Sequence, residues 1–463
     1  MCKIIIGGRT LSKESSKNTT PFPKSQKRFW RCETVAGLSN IQAEIKEFIG
    51  YFCEKVGPRP PCSEEEARAA KLLNKKIGEY CDETRIERFT CRPGAYRAAF
   101  RWPILLYTLS TISYIIAIYF LRSSSTLFGG YSALSVIGGL NPPFYFLLFL
   151  LVAMGVSLFS IVVIVGNLVL ARETIDFLFP EKTSTNVIGK IKPKEKARKL
   201  VLISGHHDSN WEFPLVRKFG SRFTSLQAIP ILANYLILPV LVARLTLCLL
   251  GVPLDFLPEV IVILVLVAPI PVLVYMYPNM VSDTPVMGAN DNLTGMAVCY
   301  EVAKHVSTPE LRPRETEVWV VSFGCEEIGA RGSKRFVKRY YGKLKDAYNV
   351  NIDMVGERGT SLYIVEKEVR SIVKLSPEVI EMLRSIAGKL RIRVSSGSID
   401  AYTDAMSFAE KGLKSASIVA VGPTGFPKYY HTTNDVMENL NYKQVADVVK
   451  ICLEFIKRVD EAS

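Results

Sequence analysis

Two stretches without a formal charge constrain this chain more than anything else in it: residues 102–121 and residues 144–171, 20 and 28 positions long. The hydrocarbon core of a bilayer is about 30 Å thick and takes about 20 apolar helical residues to cross, so each run is long enough to span. A run of 28 also exceeds the ordinary buried helix of a soluble domain. A third run, 229–251, is interrupted by Asn234 and Arg244, and a fourth, 260–277, is again uncharged. The pattern predicts four transmembrane helices in two hairpins, 102–171 and 229–277. Asn234 and Arg244 are polar residues of the kind that mark a path through a membrane. Arg244, however, lies close enough to a helix end for its guanidinium to snorkel to the headgroups, which is the preferred reading.

Charge orients the hairpins. Residues 123–143 carry none, whereas the opposite ends carry Arg101, Arg172, Arg217, Lys218 and Arg222, with five lysines from Lys182 to Lys196 close behind. Arg122 is a lone counterexample. The positive-inside rule therefore predicts an integral membrane protein whose polar bulk lies on the cytoplasmic side. The net charge of +14 is explained by anionic lipid headgroups beside the spans, and no recognition motif points to nucleic acid. The ten cysteines form no CxxC pair and read as free thiols in a reducing compartment, Cys325 among them as an inert packing residue. Residues 1–36 hold eight Lys or Arg without a helical period, and are expected to be a disordered, lipid-contacting arm.

Removing the arm and the hairpins leaves 37–100, 173–222 and 280–463, enough for one globular unit. Within it, 39–56, 63–80, 292–306 and 443–459 read as amphipathic helices. Short β-branched runs at 200–203, 318–321, 350–352 and 418–421 suit central strands covered on both faces. Further strands are expected near 85–91 and 186–191. The fold class that follows is α/β: a three-layer α/β/α sandwich around a mixed, mainly parallel sheet, interrupted by the two hairpins.

Polar residues gather after these strands, where open α/β sheets put their sites. The strand at 200–203 runs into Gly205-His206-His207-Asp208-Ser209, that at 318–321 into Cys325-Glu326-Glu327, and that at 350–352 into Asp353. Gly288-Ala289-Asn290-Asp291-Asn292 opens a helix, and Tyr429-Tyr430-His431-Thr432 comes near the end. Two histidines with Asp and Glu are the N and O donors that zinc and similar ions prefer. A two-metal hydrolase needs a bridging carboxylate, a histidine and a further carboxylate for each ion, and a base beside the water between them. His206, Asp291, Glu327, Asp353 and His431 supply five ligands, and Glu326 is left as the base. Neighbouring strand residues point oppositely, so Glu326 and Glu327 meet in one site only where the strand breaks into a loop, as Gly324 and Gly329 permit.

The strings HHDS, GANDNLTG, CEEIGARGS, NIDMVG and YYHTTNDV together resemble metallopeptidase family M28, the co-catalytic dizinc aminopeptidases. The resemblance covers nearly all of the polar unit, and the segment Val56-Gly57-Pro58-Arg59-Pro60 is similar to the family's N-terminus. It implies two zinc ions, with Asp291 bridging, Glu327 and His431 on one ion, and His206 and Asp353 on the other. By the same resemblance Glu326 is the general base, Asp208 holds the His206 imidazole, Tyr430 polarises the scissile carbonyl, and Asp404 is a supporting aspartate near the site. His207 is expected to line the pocket without ligating, and His305 to be an ordinary surface histidine. Arg331 and Ser333 are expected simply to start a helix, and Lys428 and Tyr429 to sit at the rim.

The function expected is a membrane-anchored aminopeptidase acting on peptides. A carboxypeptidase of the same family, a single-zinc glutaminyl cyclase and an inactive membrane scaffold or transporter are the alternatives. Because the second hairpin leaves between the His206 and Asp291 strings, the mouth of the site is expected to face the bilayer.

Overall fold

The computed structural model describes residues 26–124, 142–252, 256–369 and 371–462, and its compact body is Gln42–Ser463. Helix α1 (Gln26–Lys55) opens inside the segment read as an arm; residues 1–25 lie outside the described residues. Helix α2 (Glu64–Gly78) starts where Ser63 Oγ caps it, accepting a hydrogen bond from the Glu66 N–H.

Among the described residues nine strands form one sheet: β1 (Glu83–Cys91), β2 (Lys182–Ile191), β3 (Lys199–His206), β4 (Thr316–Phe323), β5 (Tyr348–Ile352), β6 (Ser361–Glu368), β7 (Val373–Lys374), β8 (Ser395–Ser398) and β9 (Lys414–Val421). The order is β1-β2-β4-β3-β5-β9-β6-β7, with β8 on β6. The central strands β4, β3, β5 and β9 are parallel, and their Val- and Ile-rich runs are buried on both faces. The flanks are antiparallel apart from β8 on β6, so the sheet is mixed with a parallel centre rather than mainly parallel throughout. Helices cover both faces, which completes the expected sandwich. On one side lie α2, α8 (Leu293–Val306), α10 (Pro377–Leu390) and α11 (Tyr442–Glu461); on the other lie α9 (Arg331–Leu344) and the short turn Ala405–Ala409.

Among the described residues, four helices are long and apolar enough to cross a membrane. They are α3 (Gly94–Ser124), α4 (Pro142–Val163) with its π-helical extension Ile164–Val169, α5 (Phe223–Leu249), and the pair α6 (Phe256–Val267) and α7 (Ile270–Asn279), which Pro269 separates. Tyr107, Tyr114, Leu150, Ile237, Leu241 and Leu273 pack between them, while Leu109, Leu151, Leu236, Leu257, Leu264 and Val274 point outward and stay exposed, the dressing of a helix that meets lipid. Most of the uncharged connection 123–143 and Asp255 lie outside the described residues.

Arg244 does not snorkel. Its side chain is 6% exposed and forms an ion pair with Glu259 of α6, itself 4% exposed, and Glu259 also accepts from the Tyr114 hydroxyl of α3 at 2.5 Å. A buried carboxylate on the neighbouring helix holds the guanidinium inside the bundle. Asn234 ties two helices together, its Nδ2 donating to the Pro230 carbonyl, within α5, and to the Pro103 carbonyl of α3.

The strand register explains where the hairpins leave. Cys91 faces Lys182 across β1 and β2, so the whole of 92–181 is the connection of one antiparallel pair. Since β1 runs antiparallel to β2, and β2 to β4, β1 ends on the same edge of the sheet as β4 and β3. That edge carries His206.

Candidate metal centre

Each site residue follows the carboxyl end of a strand or a loop held there. His206 closes β3, Glu326 and Glu327 follow β4, Asp353 follows β5, Asp291 precedes α8, and His431 lies in the connection after β9. All of them, with Asp208, are 5% exposed or less.

Asp291 stands in the middle. Its Oδ1 lies 3.2 Å from His206 Nε2 and its Oδ2 lies 3.0 Å from His431 Nε2. The same Nε2 of His206 also lies 3.5 Å from Asp353 Oδ1, and the same Nε2 of His431 lies 3.0 Å from Glu327 Oε2. The five expected ligands thus form two trios, His206-Asp291-Asp353 and Asp291-Glu327-His431, sharing one carboxylate. Buried atoms of both trios, His206 Nε2, Asp353 Oδ1 and Glu327 Oε1, have no hydrogen-bond partner, and neither has Glu326 Oε1. Buried polar atoms left so are costly unless a cation completes them, and the N and O donor set fits zinc. A further buried carboxylate, Glu326, approaches His206 Nε2 to 3.9 Å with its Oε2.

The adjacent glutamates enter together because the chain turns sharply after β4. Cys325 adopts a φ of 54°, and the Glu326 and Glu327 N–H groups both donate to Asp208, one to each oxygen at 3.1 Å. Asp208 also lies beside the other ring nitrogen of His206, Oδ1 being 3.4 Å and the backbone carbonyl 3.2 Å from Nδ1. One carboxylate therefore orients the imidazole and both glutamates.

Burial dominates the electrostatics. It raises Glu326 well above the usual carboxylate range and Glu327 to about 7, reinforced by the carboxylates around them. Burial alone would lower His206 and His431, but their acidic neighbours reverse this, raising His206 well above its ordinary value and His431 to about 10. Asp404 is fully buried, is raised by burial to about 7, and adds to the upward push on Glu326.

Tyr430 stacks on His431 with ring centres 3.7 Å apart and lines the cavity at the centre. Lys428 lines it too. His207 does not line the pocket: it is buried under the sheet edge with Nδ1 2.9 Å from Ser322 Oγ, and burial lowers it to about 4. Following a residue that points into the site, it points the other way. His305 is half-buried, its Nε2 3.6 Å from the buried carboxylate of Glu301, so it is not an ordinary surface histidine. Arg331 does start α9, but its guanidinium is also buried, donating to the Ala171 and Arg172 carbonyls and pairing with Asp176, where the first hairpin returns.

Several positioning groups have no motif of their own. Arg59 is fully buried and donates to the carbonyls of His207, Met287 and Gly288, joining the two ligand loops; a Cβ on Gly288, at φ +62°, would meet that guanidinium at 3.0 Å. Asp435 accepts from the Asn290 and Asp291 N–H groups at 2.6 and 3.0 Å. Asn210 donates to Glu327 Oε2 at 2.8 Å and to the Tyr96 hydroxyl at 3.0 Å. The signal for Arg59 and Asp435 was their presence inside the strings VGPRP and YYHTTNDV; Asn210 and Tyr96 gave none.

The cavity of about 560 Å³ that begins at Asp291, Glu326, Glu327, Asp353 and His431 continues between Phe100, Pro103, Ile164, Phe223 and Ile231. Those are residues of the first, second and third apolar helices. The cavity thus reaches from the centre to the apolar helices, and it is also walled by Arg358, Thr360, Asp400 and Thr424 of the loops around the site.

Residues 274–456 match the model of peptidase family M28. Among curated proteins, the chain is 30% identical over 172 residues to aminopeptidase YwaD of Bacillus subtilis (strain 168), covering 35% of this chain and 36% of that protein. The matched stretch is thus about a third of that relative's length. Among solved structures, a zinc aminopeptidase from Bacillus subtilis superposes with a TM-score of 0.50 at 16% identity, over 91% of this chain and 96% of the other. A glutaminyl cyclase from Bacteroides thetaiotaomicron, bound to N-acetylhistamine, superposes with the same TM-score at 14% identity, over 90% and 97%. These likenesses establish the fold, and they are equal for two chemistries. His206 and Asp208 precede the stretch that the family model matches.

Proposed function

Starting from the family M28 match, we propose that the chain is a membrane-anchored dizinc exopeptidase that removes N-terminal residues from peptides. The observation that carries this reading is the division of Asp291, one oxygen to each histidine, with a separate carboxylate beyond each. Bound there, two zinc ions supply a Lewis acid for the scissile carbonyl and a water of lowered pKa.

The chain's own groups do the rest. Glu326, with one oxygen bound to no protein group, takes the proton from the attacking water and returns it to the leaving amine. Its raised proton affinity suits both halves of that shuttle. Tyr430, kept protonated by burial and by the nearby carboxylates of Asp291 and Glu327, donates to the developing oxyanion. Asp208 keeps the Nε2 face of His206 turned to the centre.

The cavity's apolar arm supports a membrane-proximal substrate. A peptide whose first residues are hydrophobic, or an extended tail released at the headgroups, fits a pocket walled by Phe100, Ile164, Phe223 and Ile231. A large folded substrate does not. The lysine- and arginine-rich side of the hairpins supports a catalytic unit on the cytoplasmic face.

A second reading, cyclisation of N-terminal glutamine at one zinc, draws on the equal likeness to a glutaminyl cyclase. Two complete trios favour two ions and hydrolysis. The test is metal analysis of detergent-purified protein with a panel of aminoacyl, N-blocked and N-glutaminyl peptides. Two equivalents of zinc at the His–carboxylate trios with hydrolysis of free-amine substrates is the expected result; one equivalent there with pyroglutamyl product would replace this reading by the second.

A further inference from the structure

Three thiols meet about one residue from the candidate base. Cys62 precedes α2, Cys91 ends β1 and Cys325 follows β4, and their Sγ atoms lie 3.0 Å (Cys62 to Cys91), 3.3 Å (Cys91 to Cys325) and 3.5 Å (Cys62 to Cys325) apart. Cys91 is 4% exposed and Cys325 is fully buried, while Cys62 is partly accessible. Each sulfur touches both others, which is the arrangement of ligands around a common centre and not of a pair with a bystander. Glu66 lies beside the triangle, next to Cys325: its Oε1 is 3.5 Å from Cys325 Sγ, and its two oxygens accept from the Cys325 and Cys62 N–H groups at 3.0 and 2.7 Å. Ser184 Oγ donates to the same carboxylate at 2.8 Å, fixing it in place.

We propose that Cys62, Cys91 and Cys325, with Glu66 as the fourth group, bind a single structural zinc ion or a similar thiophilic cation, separate from the His–carboxylate centre. Zn–S bonds are about 2.3 Å, which sets sulfurs about 3.8 Å apart around a tetrahedral ion, so the triangle needs only modest opening to seat one. Three soft donors select zinc over magnesium or calcium. Binding releases the thiol protons to solvent and forms three Zn–S bonds; no oxidant is needed. A disulfide would use two of the thiols and leave the third without a role, whereas an ion uses all three.

The position gives the ion a consequence. Cys325 immediately precedes Glu326, so the ion would clamp the loop that presents both glutamates. Cys91 roots the first apolar helix through the short link to Gly94, and Cys62 fixes the chain just before α2. One ion would thus join the base-bearing loop to the point where the chain leaves for the membrane.

Cobalt substitution of the full-length protein in detergent tests this, because a centre of N and O donors gives no thiolate-to-cobalt charge-transfer band. We expect the band in the parent and in Asp291→Ala, and its loss in Cys62→Ser and Cys91→Ser. Zinc content should fall by one equivalent per chain in the two cysteine variants, and three further thiols should react with a thiol reagent once a chelator is added. Cys62→Ser changes the most accessible of the three and guards against a folding failure. Absence of the band in the metal-loaded parent, its persistence in both cysteine variants, or an intact Cys62–Cys91 disulfide found by mass spectrometry would overturn the proposal. The band reports on thiolates alone, so loss of the His–carboxylate assignment would leave it untouched.

Discussion

Arg244 and Glu259 form an ion pair between the third and fourth apolar helices, with 6% and 4% of their side chains exposed. Removing one partner leaves the other charge buried, at a cost on the order of 3–5 kcal/mol, whereas replacing both with apolar groups of similar volume is often neutral. Arg244→Met and Glu259→Gln are each expected to lower the thermal midpoint in detergent by several degrees. Arg244→Met combined with Glu259→Met should recover most of the loss. Single variants as stable as the parent would mean that the pair holds nothing together.

Glu326 and Asp291 separate the roles of base and ligand. Glu326→Gln keeps the shape of the side chain and removes the proton acceptor, so both ions should stay and turnover should fall by about 10²–10⁴-fold. Asp291→Ala removes the carboxylate that reaches both histidines and should release zinc from the centre as well as activity. Metal analysis beside peptide hydrolysis decides: near-parental turnover in the first variant, or full metal content in the second, would end the assignment.

The candidate residues His206, Glu326, Glu327 and Asp353 were legible because each sits in a short string at a strand end, where the β-branched run before it announces the strand and the topology of parallel sheets brings such ends together. Interactions set by long-range register were not. Cys91 and Cys325 are 234 positions apart and meet only because β1 and β4 end on the same edge of the sheet. Glu66 lies in the first turn of α2, and nothing local in the sequence shows that its carboxylate turns inward to the Cys62 and Cys325 N–H groups. The snorkelling expectation for Arg244 failed for the same reason, since Glu259 belongs to another helix. His207 shows the limit of a string: it shares HHDS with a ligand, yet the alternation of the chain turns it under the sheet to Ser322.

Behind the site, Glu301 on α8 is buried, and burial, aided by Glu44, raises it to about 7. Its surroundings also include Lys304, which pairs with Glu44, and His305. An unfolded glutamate ionises near 4.5, so between about pH 4.5 and 7 the folded state binds more protons and stability falls as pH rises. Glu301→Gln removes that penalty. The variant should match the parent near pH 4.5 and exceed it above pH 7, by on the order of 1–3 kcal/mol, in denaturation monitored at several pH values. Equal pH profiles for the two proteins would count against a raised proton affinity of Glu301 in the folded state.

The proposed cytoplasmic orientation rests on the hairpins' charge, and a membrane-impermeant thiol reagent applied to intact cells tests it. A reporter cysteine placed within 123–143 should be labelled above the parent's background, and one placed near Lys194 should be labelled only after permeabilisation. The reverse pattern would put the metal centre outside and remove the argument from Arg101, Arg172, Arg217, Lys218 and Arg222. It would leave the cavity's direction unchanged, because that direction depends on the shared edge at which β1 and β3 end and not on the side of the membrane. Peptides would still enter along Phe100 and Phe223, but they would come from the opposite headgroup layer, and substrates offered to sealed vesicles from one side at a time would be cleaved from that side alone.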